Sequence, residues 1–135
     1  MGTSDPLVAV SRYVEAFNRG DIAGMASMFD SEGVILDGMA PHVWLGPSAA
    51  QTWYRDVLVE GEHQGASGYA VALGEPRHHT VTGDRAYLAI PATMTFSLKG
   101  TTVTQTGAFF TAALRRVGND WRITAWTWTK GTQQQ

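Results

Sequence analysis

The sequence contains no cysteine, which excludes disulfides, thiolate metal sites and cysteine nucleophiles. It has no excess of positive charge. Ten Lys and Arg against twelve Asp and Glu leave a formal net charge of −2, with no electrostatic drive toward nucleic acid. No apolar run approaches the ~18 residues of a membrane span. No charged segment followed by an apolar one opens the chain, so no export signal and a cytoplasmic location are expected. No histidine pair stands with a carboxylate at metal-binding spacing, so no metal is expected. Walker loops, Rossmann glycine patterns and Gly-x-Ser-x-Gly elbows are missing too. What is present is a chain of 135 residues, 44% hydrophobic and 10% aromatic. That predicts one domain over residues 1–135 with a real core.

Asp5-Pro6 predicts a helix start, with Asp5 as cap and Pro6 in the first turn. Leu7, Val10, Val14 and Phe17 follow at helical spacing, with Tyr13 flanking that stripe, and Gly20 ends the helix. Asp21 caps a second short helix carrying Ile22, Met25, Ala26 and Phe29 on one face. Asp30-Ser31-Glu32-Gly33 reads as a turn, and Val34 to Asp37 as a short strand. Residues 38–47 read as a loop. Ser48 opens a third helix with Ala50, Trp53, Tyr54, Val57 and Leu58 at helical spacing, and Glu60 and Glu62 just beyond it.

The second half has a different texture. Thirteen of the fifteen threonines lie between Thr80 and Thr132, as expected of strands. Residues 86–98 alternate with period two. A long strand is expected from about Thr101 to Val117, with a bulge near Gly107 where the apolar parity slips. After a turn at Gly118-Asn119-Asp120 comes a last strand, with Trp126 and Trp128 on one face and Trp121 on the other. Charge follows the same division: ten acids and three arginines in residues 1–75, seven bases and two acids in residues 76–135. The fold class is α+β, three N-terminal helices on one face of a cone-shaped, curved, mostly antiparallel sheet, enclosing a pocket.

This order resembles the nuclear-transport-factor-2-like superfamily, which includes ketosteroid isomerases, SnoaL-type polyketide cyclases and limonene epoxide hydrolase. Arg12-Tyr13-Val14, Asn18-x-Gly20-Asp21-Ile22, Phe29-Asp30, the strand ending at Asp37, Gly46-Pro47-Ser48-Ala49-Ala50 and Trp53-Tyr54 carry the resemblance. It implies a general base at Asp37, an oxyanion donor at Tyr13 and a hydrogen-bonded support for that donor at Tyr54. It also implies a homodimer formed through the open sheet face and no cofactor. Ketosteroid isomerases use a second oxyanion donor, a carboxylic acid kept protonated by apolar surroundings. The matching position falls at Phe109 or Phe110 here, and neither can donate.

The residues themselves point the same way. Asp37 follows Val34, Ile35 and Leu36 at a strand end, where a carboxylate is partly desolvated, as suits a general base. Expected pocket walls are Phe29, Met39, His42, Trp44, Trp53, His78, Phe110, Trp126 and Trp128, with His42, His78 or His79 as an alternative general acid. The resemblance implies an apolar carbonyl compound as ligand, steroid-like or polyketide-like, and isomerisation or cyclisation as the activity. Two other readings stand beside it: a non-catalytic binding or dimerising domain, and an epoxide-opening enzyme pairing Asp37 with a carboxylate near Glu60 or Glu62.

Overall fold

A computed structural model describes residues 5–134. Helix α1 spans Pro6–Arg19. The Asp5 carboxylate accepts from the Leu7 amide at 2.9 Å, and Gly20 closes the helix at φ 68°, a conformation that favours glycine. Helix α2 spans Ile22–Met28, with the Asp21 carboxylate accepting from the Gly24 amide at 2.9 Å. Helix α3 spans Ala49–Gln64, so Glu60 and Glu62 lie within it and not beyond it. Ala9, Val10, Tyr13, Met25, Ala50 and Trp53 are the sides of these helices that face the sheet core.

The strands are β1 (Phe29–Leu36), β2 (Val43–Leu45), β3 (Ala66–Leu73), β4 (His78–Thr82), β5 (Arg85–Leu98), β6 (Thr101–Val117), β7 (Asp120–Thr129) and β8 (Thr132–Gln134). They form one mixed sheet in the order β2-β1-β7-β6-β5-β3. Strand β4 pairs with β5, and β8 pairs with β6. All pairings are antiparallel except β1 with β7. Among the described residues no helix is long and apolar enough to cross a membrane.

Of the sheet's register shifts, those in β6 and β7 shape the wall of the core. Between Ala92↔Ala108 and Met94↔Gln105 strand β6 holds one extra residue, with Gly107 at φ 73°. The buried set of β6 therefore switches from Val103 and Gln105 to Ala108, Phe110, Ala112 and Leu114. Strand β7 holds its own extra residue between the pairings Ala113↔Ala125 and Leu114↔Ile123. Thr124 is that residue, and its hydroxyl donates to the Ala113 carbonyl at 3.0 Å. This slip corrects the expectation for Trp121. Simple alternation separates it from Trp126, but the bulge reverses the parity and puts Trp121, Ile123 and Trp126 in one core.

The expected turn at 30–33 is also corrected: β1 runs through it, pairing with β7 at Phe29 and again from Val34 after a register shift. The turn-like composition has other causes. A Cβ at Gly33 would stand 2.4 Å from the Phe29 ring, so only glycine lets that ring lie across the strand. Asp30 is 5% exposed and accepts from the Arg115 guanidinium through both oxygens. Those bonds hold its carboxyl below the ordinary value, against the opposing effect of burial. A value depressed in the folded state stabilises above the unfolded carboxylate range near ~4, and that stability is lost as pH falls through it. The melting temperature should therefore drop below about pH 4, and Asp30→Asn should flatten that drop. Thermal melts from acid to neutral pH check both; an equally steep acid limb in the variant would remove Asp30 as its source.

Candidate active site

The helices and the bent sheet enclose a cavity of about 190 Å³. Tyr13, Val14 and Phe17 come from α1, Trp53, Val57 and Glu60 from α3, and Asp37 and Met39 from the segment after β1. Tyr69, Val71, Met94, Phe110, Trp126 and Trp128 close it from the sheet. Its opening continues into an outer groove of about 720 Å³, which shares Asp37, Met39, Glu60 and Trp128 with it.

Two indoles brace the two polar groups. Trp53 Nε1 donates to Asp37 Oδ2 at 2.8 Å, and Trp126 Nε1 donates to the Tyr13 hydroxyl at 3.1 Å. The indole rings meet edge to face with centroids 4.7 Å apart, a favoured aromatic geometry. Phe110 stacks on Trp126 at 5.0 Å. Asp37 Oδ1 has no hydrogen-bond donor among the described residues. It is the oxygen left to receive a proton. The Tyr13 hydroxyl accepts from Trp126, so its own proton stays free to be donated. Burial pushes the Tyr13 phenol well above its usual value, with the Trp126 bond opposing. It therefore remains a neutral donor throughout the ordinary pH range.

Several expected site residues lie elsewhere. Tyr54 does not support Tyr13. It lies on a separate surface hollow beside Gly20, and the hydrogen bond to the Tyr13 hydroxyl comes from Trp126. Phe29 packs behind Tyr13 at 6.5 Å, in the core. Trp44 is buried with its indole N–H on Asp56 Oδ2 at 2.9 Å. His78 is exposed on β4, and His79 turns toward Asp5 at 3.5 Å. His42, at φ 78°, exchanges contacts with the backbone of Asp37 and Met39. It shapes the loop behind Asp37 without lining the cavity. None of these three imidazoles lines the cavity or its outer groove. Asp37, Tyr13, Met39, Trp53, Phe110, Trp126 and Trp128 are brought together as walls of one space.

Sequence reasoning passed over Tyr69, Val71 and Met94, and placed Glu60 outside the helix. A signal for Glu60 existed: Trp53, Val57 and Glu60 stand at i, i+4 and i+7, one helix face. Its carboxylate accepts from Gln64 Nε2 at 2.8 Å and lies 3.8 Å from His63 Nδ1.

The comparisons with known proteins agree with this architecture. No curated protein sequence matches the chain. Among solved structures it is similar to the hexachlorocyclohexane dehydrochlorinase LinA-type3 from Novosphingobium barchaimii LL02, with a TM-score of 0.79 at 12% identity over 93% of this chain and 84% of that one. A ketosteroid isomerase-like protein from Erwinia carotovora atroseptica SCRI1043 gives a TM-score of 0.72 at 20% identity over 91% of each chain. A provisionally assigned scytalone dehydratase from Novosphingobium aromaticivorans DSM 12444 gives 0.74 at 9% identity over 93% and 81%. Identities this low speak for the fold alone. The sequence itself goes further, matching the SnoaL-like domain over residues 8–127. Three helices over a bulged, open sheet, and that match across most of its length, place the chain in the SnoaL-like domain family of the nuclear-transport-factor-2-like superfamily.

Proposed function

We propose that the protein is a cofactor-independent isomerase or cyclase acting on a small apolar carbonyl compound. Asp37 Oδ1 removes a proton from the carbon beside the carbonyl. The electron pair moves onto the carbonyl oxygen, which accepts from the Tyr13 hydroxyl. Protonated Asp37 then returns the proton at another carbon, or the enolate carbon attacks a second carbonyl of the same molecule and protonated Asp37 gives the proton to the alkoxide so formed. The observation that carries this reading is the indole-braced pair: Trp53 orients Asp37, Trp126 orients Tyr13, and the two rings pack together. Bracing of this kind is what preorganised catalysis needs.

The cavity refines the substrate. Drug-sized ligands occupy roughly 300–1,000 Å³, and about 190 Å³ falls below that. A one- or two-ring body suits the inner chamber better than a four-ring steroid, with any remainder in the groove. Phe110 stands on the cavity wall without a donor, so Tyr13 carries the oxyanion alone.

Proton exchange tests the reading. Wild-type protein in D₂O should exchange the α-protons of one- and two-ring enones faster than buffer, read by NMR. If no ketone in such a panel exchanges, yet several quench the tryptophan fluorescence, a binding domain of the same fold replaces the enzyme. A further reading rests on Glu60, which shares both hollows with Asp37: the two carboxylates would act as acid and base on an epoxide. Turnover of epoxides without ketone exchange would select it.

A further inference from the structure

The long strand β6 carries a buried polar side chain that the proposed chemistry leaves unused. Gln105 is 2% exposed and lines the outer groove together with Asp37 and Glu60. Its Oε1 accepts twice, from Trp128 Nε1 at 3.1 Å and from the Gly131 amide at 3.1 Å. Both partners are obligate donors, so the orientation of the carboxamide is settled by chemistry: oxygen toward them, NH₂ away. Neither partner can easily move. A Cβ at Gly131 would stand 2.0 Å from the Thr106 carbonyl, so that amide is pressed against the Gly107 bulge. Trp128 is itself a wall of the inner cavity. The Nε2 group has no acceptor among the described residues. Nε2 is not sealed in the core: it keeps an open side on the groove, where the acceptor of a ligand can reach it.

We infer that Gln105 is a specificity-determining donor, and that the ligand carries an uncharged hydrogen-bond acceptor, a carbonyl or ether oxygen, on the part lying in the groove. The groove also carries Asp37, Asp56 and Glu60 against Lys130 and His63. An acidic surround disfavours an anionic end group and leaves a neutral acceptor as the match for Nε2. The ligand is then bipolar in layout: an apolar body against the wall formed by Tyr13, Phe110 and Trp126, and an acceptor oxygen past Trp128. This rests on the cavity being the binding site, but not on Asp37 acting as a base.

Binding of two shape-matched probes tests it without any turnover. 2-Acetylnaphthalene carries a carbonyl where 2-isopropenylnaphthalene carries a methylidene of similar size. Wild-type protein should bind the ketone about three- to tenfold more tightly, the worth of one neutral hydrogen bond. Measured in a Tyr13→Phe background, so that the Tyr13 hydroxyl cannot serve the carbonyl, the preference should persist with Gln105 and vanish in Gln105→Leu while the hydrocarbon's affinity is kept, which also shows that the cavity survives. Gln105→Glu still accepts from Trp128 and Gly131 but offers no donor, and should reverse the preference. Equal wild-type affinity for the two probes, binding of neither, or a ketone preference that persists in both variants in that background overturns the inference. A loss of proton exchange in Asp37→Asn with the Gln105 preference intact separates the two claims.

Discussion

Asp37→Asn should lower turnover of any ketone that the wild type processes by ~10²–10⁴, the usual contribution of a positioned base. Affinity for the neutral ketone should stay equal or rise. The Trp53 indole N–H points at Oδ2 from 2.8 Å and will demand an oxygen there. The asparagine amide must then turn its NH₂ toward the cavity, where the carboxylate offered Oδ1. The variant thus replaces a proton acceptor by a donor with almost no change of shape, and removes a charge from an apolar wall. Binding and α-proton exchange measured on the same preparation separate these effects. Exchange retained at the wild-type rate would show that another group, with Glu60 the other carboxylate on the shared wall, takes the proton.

Tyr13→Phe should cost ~10²–10³ in turnover, because one oxyanion donor is lost and the Phe110 wall supplies no second. It should also destabilise the fold by about 1–3 kcal/mol, since the buried Trp126 N–H loses its acceptor. A purely structural tyrosine would show only the second effect. Adding Trp126→Phe removes the orphaned donor and should recover part of the melting temperature while leaving turnover low. Recovery of turnover along with stability would demote Tyr13 to a packing role. The raised Tyr13 value makes a further statement about pH. The neutral phenol's contribution to stability holds below the unfolded tyrosine value near ~10 and is lost as pH rises toward the higher folded value. A phenolate signal from Tyr13 should therefore appear only with alkaline unfolding.

Local chemistry made much of this protein legible from its residues. Asp5-Pro6, Gly20, Asp21 and the period-two run from Ala86 to Leu98 each act over a few positions, so both ends of α1, the start of α2 and the faces of β5 follow from sequence alone. Gly107 marked its bulge because only a missing Cβ tolerates that backbone. Asp37 and Tyr13 stood out by their place on a strand end and at a helix-stripe edge. What the residues around them do was decided by tertiary structure. Trp53 and Trp126 are far apart in the chain, and nothing local says that each indole will seek one of the two polar groups. The resemblance offered Tyr54 as the partner of Tyr13 and Trp126 only as a wall, and the packing of α3 against the sheet gives the hydrogen bond to Trp126 instead. Asp30 to Gly33 has turn composition, but the Arg115 ion pair and the Phe29 ring hold it extended. The Thr124 bulge leaves no strong mark in the sequence, because threonine fits a regular strand equally well. Gln105 reads as an ordinary polar strand residue until Gly131 and Trp128 close on its oxygen. Properties set within one turn or one strand follow from neighbouring residues; which side chain meets which across the cavity depends on register and helix rotation, and those belong to the whole chain.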